Sequence, residues 1–408
     1  MKEFFEVMDI EAVLELAARF RTTDVEAVAL QEAPGRVLAD DFKAPADIPG
    51  FDRATMDGYA VQATATFGAG EGSPAYLTIV GSVGMGQRPD FTVGPGQAAR
   101  IATGGMLPPG ADSVVMVEHA EVLDATTIEV YKSVAPGQHV VTRDEDAAQD
   151  HLLLGAGCLL RAQEIGLLAA CGVSRINAYK QPRVGILSTG DEVVPVENEP
   201  LPGQVRDVNT HTLSALVRRA GGIPMCYGIV PDRYEPLLAA CTRAVSETDM
   251  VLVSGGSSVG TRDLTMEVLD RLARSHILVH GVSISPGKPT ILAQCSQKPF
   301  WGLPGHVTSA MVVFIVLVQP FLAQLAGQRP TRSVRTRARL ARNLASTQGR
   351  TDYVRVRLVN KAGEQWAEPI LGASGLIRTM VQADGLLAID LNCEGLERGA
   401  EVDVILFE

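Results

Sequence analysis

The chain is predicted to fold as a multidomain α/β plus β protein. It should contain a doubly wound, mostly parallel α/β domain, an inserted β-rich domain and a C-terminal β domain. Three observations predict this. Its 408 residues exceed the ~100–200 residues of one ordinary domain. Between residues 182 and 328 apolar strands alternate with amphipathic helices, the pattern of βαβ units around a parallel sheet. Outside that stretch, short β-rich runs are broken by Gly and Pro, and Gly supplies 40 of the 408 residues, well above a usual ~7%.

The elements follow in order. Residues 5–20 place Phe5, Ile10, Val13, Leu14, Ala17 and Phe20 at helical spacing, with Asp9 as the expected cap. A strand VEAVAL, the turn APGR and a second apolar stretch VLADDF come next. From about residue 51 the runs YLTIVGSV, QAARIAT, SVVMVEHAEV and TIEVYKSV alternate with Gly/Pro clusters, which reads as a small inserted β domain. A helix is expected over 161–171. In the α/β region RVGILST, MCYGIV and DMVLVSGG are strands, while NTHTLSALVRRAGG, YEPLLAACTRAVSE and DLTMEVLDRLA are helices. The apolar segment 307–326 is expected to be a buried core helix, and the alternating Arg of VRTRARL a solvated strand. YVRVRLV, GLLAIDL and EVDVILF complete a terminal β domain. The expected domains are 1–50 with 143–180, then 51–142, 181–328 and 329–408.

Composition excludes several classes. Lys and Arg total 36 against 47 Asp and Glu, a net charge of −11. That balance does not suit a surface for duplex nucleic acid, which must neutralise phosphates. Six Cys (158, 171, 226, 241, 295, 393) contain no CxxC pair, so a zinc ribbon is excluded and reduced, buried thiols are expected. MKEFFEVMDI does not read as a signal peptide. The longest apolar stretch, Ala310–Val318, stops at Gln319-Pro320, short of the ~18 residues of a membrane span. No membrane association is expected, and a cytoplasmic location is.

Four Gly-rich junctions each follow an apolar strand: STGDE at 188–192, SGGSSVG at 254–260, PGKP at 286–289 and GLPGH at 302–306. In open α/β sheets ligands bind at the C-terminal strand ends, where such loops lie. Glycine there lets backbone N–H groups approach an anion, and a following helix N-terminus adds a favourable dipole. The expected binding residues on these loops are Ser188, Thr189, Gly190, Gly255, Gly256, Ser257, Lys288, Pro289 and Gly305. No GxGxxG, P-loop or GxSxG motif occurs, so common nucleotide and serine-hydrolase sites are disfavoured. His276 and His280 share a strand and sit too far apart along it for a metal pair.

Acidic loop residues are the second signal: Asp57, Glu145, Asp146, Asp191, Glu192, Asp232 and Asp263. The plain alternative is that Asp263 caps its helix and the others are solvated turn residues. Glu192, Asp232 and Asp263 lie where the sheet loops converge. Carboxylates beside an anion pocket repel the anion unless a divalent cation bridges them, and oxygen ligands suit Mg²⁺. Glu192 and Asp263 are the expected magnesium ligands.

FDRATMDGYAV (51–61), RIATGGMLPPGADSVVMVE (100–118), VGILSTGDEVV (184–194), GQVRDVN (203–209), SGGSSVGTRD (254–263), PGKP and GLPGH together resemble the molybdopterin molybdenumtransferase family. Its members are MoeA in bacteria and the E domain of gephyrin in animals. The resemblance covers nearly the whole chain. It implies four domains in an elongated homodimer, with the site between one subunit's α/β domain and the other subunit's inserted and terminal domains. It also implies a reaction in which adenylylated molybdopterin and molybdate, with Mg²⁺, yield the molybdenum-loaded dithiolene. By motif, the acidic positions would be Asp57, Asp146, Glu192, Asp232 and Asp263, with Thr103 beside them. The oxyanion site would fall on Lys288, Pro289, Arg350 of GRTDYVR and Ser374 of GASG. Asp207 and Asn209 of GQVRDVN would join the binding residues. Expected partners are the molybdopterin adenylyltransferase and molybdoenzymes or cofactor chaperones.

The chain departs from the family pattern in its loops. Ser285 stands where KPGKP has its first Lys. His306 and Val307 replace Asn and Pro of GLPGNP, Val208 replaces the Ser of DSN, and RDED at 143–146 replaces RxxGED. Three functions are therefore in play: the transferase, a paralogue that binds molybdopterin or a protein without completing the reaction, and a generic nucleotide-binding α/β enzyme. The last leaves MDGYAV and STGDE unexplained.

Overall fold

The computed structural model describes residues 7–255, 259–330 and 334–407, without side chains at 259–263. Its contacts divide into two units. One comprises Met1–Ala39, Gly157–Arg161 and Arg175–Glu408; the other comprises Asp40–Ala156 and Ala162–Ser174. The strand pair Val25–Ala29 with Arg175–Tyr179 lies in the first unit, and Phe42–Lys43 with Leu152–Leu154 in the second.

The first unit is built on a six-stranded sheet. Its order is Ile223–Val230, Arg183–Thr189, Met250–Ser254, Lys298–Leu303, Ile291–Cys295 and Ser275–His280. The first four strands are mutually parallel. Ile291–Cys295 is antiparallel to both neighbours, so Ser275–His280 again runs with the majority. Side chains alternate across the sheet, and both faces are buried. Val184, Ile186, Met250 and Leu252 pack against Leu213 and Val217 of the helix Asn209–Arg219 and against Phe314, Leu317 and Phe321. On the other face, Val251 and Val253 meet Leu237, Cys241 and Ala244 of the helix Tyr234–Glu247 and Val268 and Leu269 of the helix Val259–Arg271. Trp301 and Phe321 meet edge to face, centroids 4.9 Å apart. Each fully buried large side chain in such a core contributes about 1.5–3 kcal/mol.

The buried core helix expected over 307–326 is present as Val307–Leu325, but its apolar length needs a correction. It continues past the end of the apolar run at Gln319-Pro320, and its 19 residues are long and apolar enough by length and composition to cross a membrane. Phe314, Leu317, Val318, Phe321 and Leu322 are instead sealed in the sheet's core at 0–1% exposure. Pro320 lacks an N–H and would break the α ladder. The turn before it widens to a π segment, Phe314–Val318, and a new α stretch Gln319–Leu325 begins with Pro in its first turn, where no N–H is needed.

Three smaller expectations also change. Among the described residues the N-terminal α-helix is only Ile10–Glu15, followed by the 3₁₀ turn Leu16–Arg19. Asp9 makes no cap; its Oδ1 accepts the Ser283 hydroxyl at 2.8 Å, a donor that only tertiary folding supplies. All six Cys are free, but only Cys241 and Cys295 are buried, and Cys226 is exposed. Burial, then the neighbouring Cys295, pushes the Cys241 thiol up to about 12.

The C-terminal strands of this unit close on themselves. Thr351–Lys361, Glu364–Pro369, Arg335–Leu340, Glu401–Leu406 and Gly385–Ile389 pair in that order, and the last pairs back with the first. Ala338 and Leu340 face the barrel interior. The intervening Arg337 and Arg339 point outward to Glu401, Asp403 and Glu364, the solvated strand expected of VRTRARL. A two-residue strand, Ile284–Ser285, adds to the barrel beside Thr351 and Asp352.

The second unit holds its own six-stranded sheet, ordered Ser113–Met116, Gly58–Val61, Gln97–Ile101, Ala75–Val83, Thr127–Val130 and Ala120–Val122. Val61, Leu77, Ala98, Val115 and Ile128 form its core. The helix Ala162–Ala170 also belongs here, as expected over 161–171.

Candidate active site

The majority strand direction brings STGDE, PGKP, GLPGH and the first described residues of SGGSSVG, Ser254 and Gly255, to one edge of the α/β sheet. Strands 183–189, 250–254 and 298–303 end there, and PGKP immediately precedes the antiparallel strand that starts there, with Ile291 opposite both His280 and Gly302.

At one end of this edge the loops carry acid. Asp191 Oδ1 accepts the Asp232 N–H at 3.1 Å. The Asp232 carboxyl is raised above its usual range by desolvation first, then by the charges of Asp191 and Glu192; an Asp191 backbone bond and the Thr189 hydroxyl pull the other way. Asp232 Oδ1 is buried without a hydrogen-bond partner. Thr189 also receives the Gly255 backbone so closely that a Cβ on Gly255, at φ +144°, would lie 2.1 Å from Thr189 Oγ1. Only glycine permits that approach.

The middle of the edge is a hydrogen-bonded strip. Ser188 Oγ donates to Asp207 Oδ1 at 3.0 Å, and the same oxygen accepts the Thr210 N–H at 3.1 Å. Asp207 thus closes the first turn of the 209–219 helix. Asn209 Nδ2 donates to the Gly305 carbonyl at 2.8 Å, while its Oδ1 is buried and unpartnered.

The far end carries cations. Ser374 Oγ and His306 Nδ1 lie 2.8 Å apart, and the Ser374 carbonyl accepts both the Thr308 N–H, at 3.1 Å, and the Thr308 hydroxyl. The GASG loop is thereby fastened to the start of the 307–325 helix. The PGKP loop packs on the same helix: at φ +124°, a Cβ on Gly287 would lie 2.5 Å from Val313 Cγ2. Lys288 is exposed and Pro289 half-buried. The Lys288 carbonyl accepts the Val282 N–H at 3.0 Å, and Thr351 N–H bonds the Ser283 carbonyl at 2.8 Å, so Arg350 enters beside PGKP.

The predicted site residues therefore sort into three groups. Ser188, Thr189, Gly190, Glu192, Asp207, Asn209, Asp232, Gly255, Lys288, Pro289, Gly305, Arg350 and Ser374 share the first unit. Asp57, Thr103 and Asp146 are in the second. There Asp57 Oδ1 accepts the Thr103 N–H at 2.7 Å and hydroxyl at 2.9 Å, which hold its carboxyl below the usual range. Asp146 is exposed on the 142–147 loop, its N–H bonded to the Ile48 carbonyl at 3.0 Å. Gly256, Ser257 and the Asp263 side chain lie outside the described residues. The backbone at 263 does correct one expectation: it is the fifth residue of the helix Val259–Arg271, neither a loop position nor a cap. Sequence reasoning missed Asp352, which contacts Arg350; its position two residues on in GRTDYVR was the available signal.

Among the described residues no three His, Cys, Asp or Glu side chains gather as a metal cage. Mg²⁺ rarely needs one, since it keeps several waters and takes one or two carboxylates plus substrate phosphates. The Glu192 and Asp232 oxygens, with Asp232 Oδ1 unpartnered, fit that use.

Fold and site together define a multidomain α/β protein with an acidic and a cationic end on one edge of its sheet. Family models agree along the chain: the MoeA N-terminal region (domain I and II) matches residues 7–172, a probable molybdopterin binding domain 185–324, and the MoeA C-terminal region (domain IV) 337–407. The chain belongs to the MoeA family. A molybdopterin molybdenumtransferase of Haemophilus influenzae is 31% identical over 385 residues, covering 94% of each chain. Two MoeA molybdopterin biosynthesis structures from Pyrococcus horikoshii are similar throughout. One is 38% identical with a TM-score of 0.78 over 99% of this chain and 100% of the other. The second is 30% identical with a TM-score of 0.84 over 98% and 100%.

Proposed function

We propose that the protein is a molybdopterin molybdenumtransferase that inserts molybdate into adenylylated molybdopterin with Mg²⁺ and release of AMP. The carrying observation is the charge layout of one sheet edge, with Asp191, Glu192 and Asp232 at one end and Lys288 and Arg350 at the other. Adenylylated molybdopterin needs both, a metal-bridged phosphoanhydride and an oxyanion pocket. Mg²⁺, when bound, would neutralise the phosphoanhydride. Glu192 and Asp232 are the groups to hold it, and Asp232 Oδ1 supplies an uncommitted oxygen. Arg350 and Lys288 would neutralise the molybdate oxygens, and the Ser374 hydroxyl would donate a hydrogen bond to them. Asn209 Oδ1, buried and unpartnered, would accept a pterin N–H. AMP release from adenylylated molybdopterin on adding molybdate and Mg²⁺ tests the proposal; no release would sink it.

A second reading has its own observation. Ser285 and His306 both fall at the cationic end, where the family pattern has Lys and Asn. A paralogue that binds molybdopterin or a protein partner as a scaffold would bind the cofactor in the same experiment and release no AMP. The transferase reading also carries a homodimer, a cytoplasmic location, and partnership with a molybdopterin adenylyltransferase and with molybdoenzymes or chaperones, all from the family resemblance. Light scattering that gives an active monomer of 43.3 kDa would exclude the dimer.

A further inference from the structure

The cationic end contains an anion of its own. Arg350 immediately precedes the strand 351–361, and Asp352 is its second residue. Asp352 is only 9% exposed. Arg350 Nε lies 2.9 Å from its Oδ1, and Nη2 donates to Oδ2 at 3.5 Å. Ser346 Oγ donates to the same Oδ2 at 2.7 Å. Among the described residues, Arg350 is the cation in ion-pair contact with Asp352. The residue opposite Asp352 in the parallel register is Ser285, which carries no charge.

We infer that Asp352 is a built-in competitor for Arg350, and that residue 285 sets how strongly it competes. This rests on the reading of Arg350 as an oxyanion ligand. The carboxylate lies against the Nε edge of the guanidinium, one of the two edges that bind an oxyanion bidentately, although Nε and Oδ1 are in ion-pair contact without a hydrogen bond. An arriving dianion must either draw Arg350 off Asp352 or share it and meet the carboxylate's repulsion. Either route weakens binding, and it does so more for a dianion than for a monoanion. The side chain at 285, on the neighbouring strand and in register, is the one placed to offset the Asp352 charge. Serine leaves that charge to Arg350 alone. Asp352 is thus a specificity-determining residue that acts through Arg350.

Calorimetric titration of molybdate into the intact protein and four variants tests this. Asp352→Asn keeps the shape and an acceptor for Ser346, and should bind molybdate about threefold to tenfold more tightly, the scale of one charge in a partly solvated site. Ser285→Lys should tighten binding by a similar factor. The double variant should gain less than the product, because both changes remove the same penalty. Arg350→Gln separates the possible failures. If it leaves molybdate affinity unchanged, the oxyanion reading of Arg350 fails and takes the inference with it. If it weakens binding while Asp352→Asn binds equally or more weakly, Asp352 orients Arg350 productively and the competitor role is overturned. Should Asp352→Asn fail to fold, Ser285→Lys alone decides, and unchanged affinity there overturns the inference.

Discussion

The two ends of the α/β sheet edge handle like charge in opposite ways. At the acidic end Asp191, Glu192 and Asp232 crowd together, and among the described residues none of them makes an ion pair. Desolvation first, and then the Asp191 and Glu192 charges, raise the Asp232 carboxyl. At the cationic end Arg350 is already paired, and the pairing carboxylate is nearly buried. Under the proposed function one end would gain a cation and the other would exchange one anion for another. The difference teaches that neither end can be judged by counting charges; what matters is which charges the fold has already compensated.

Removing the acid should have the largest effect. Glu192→Gln should lower Mg²⁺-dependent AMP release by on the order of 10²–10³, the several kcal/mol that a bridging metal supplies. Glu192 is exposed, so stability should change by no more than about 0.5 kcal/mol. Paired turnover and melting measurements check this, and an unfolded variant would make the carboxylate structural. Gly255→Ala should distort the same end alone. Its Cβ would lie 2.4 Å from the Thr189 carbonyl oxygen, and overpacking of this kind costs about 1–3 kcal/mol. Denaturant unfolding should show that loss, while molybdate titration at the cationic end stays unchanged. Loss of molybdate binding too would mean that the two ends are coupled.

Ser374→Ala probes the cationic end more gently. The carbonyl still holds Thr308, but the hydroxyl on His306 is gone. One neutral hydrogen bond is worth about 0.5–1.5 kcal/mol, so molybdate should bind about twofold to tenfold more weakly by calorimetry. An unchanged affinity would place Ser374 outside the oxyanion pocket. The smallest effect is expected for Asp232→Asn. Because the Asp232 pKa is raised on folding from 3.8, the native state holds its proton more tightly than the unfolded chain. That stabilisation is full below the unfolded pKa and is lost as pH rises through the folded one. At neutral pH the buried charge is a cost, so Asp232→Asn should melt slightly higher than the parent at pH 7 and equally near pH 3.8. Adding Mg²⁺ should close the gap at pH 7 by stabilising the parent alone. A gap indifferent to pH and Mg²⁺ would remove Asp232 from the acidic end.

The fold was legible wherever periodicity is local. RVGILST and DMVLVSGG read as strands because both faces of a central strand are buried, and VRTRARL as a half-exposed one because only Ala338 and Leu340 turn inward. The core helix across Pro320 was legible from its apolar composition, but how it passes the proline was not, since the rescue lies in a π turn that the surrounding core holds in place. Asp9 misled for a similar reason: its hydroxyl partner is 274 residues away. Of the candidate site, the Gly-rich loops and loop carboxylates were readable, because anion binding and strand-end turns both demand those residue types.

By itself the sequence determined the alternation of strands and helices, the family motifs and the residue types available to hold a metal and an oxyanion. These depend on side-chain chemistry and spacing over a few residues. The tertiary structure alone decided which of those groups are already satisfied. Asp352 beside Arg350 and opposite Ser285, Asp207 spent on Ser188 and a helix turn, and Asn209 Oδ1 left unpartnered all follow from strand register and burial. Whether a charge is free depends on neighbours that only the folded chain brings within a few ångströms, where desolvation and Coulomb attraction outweigh local preference.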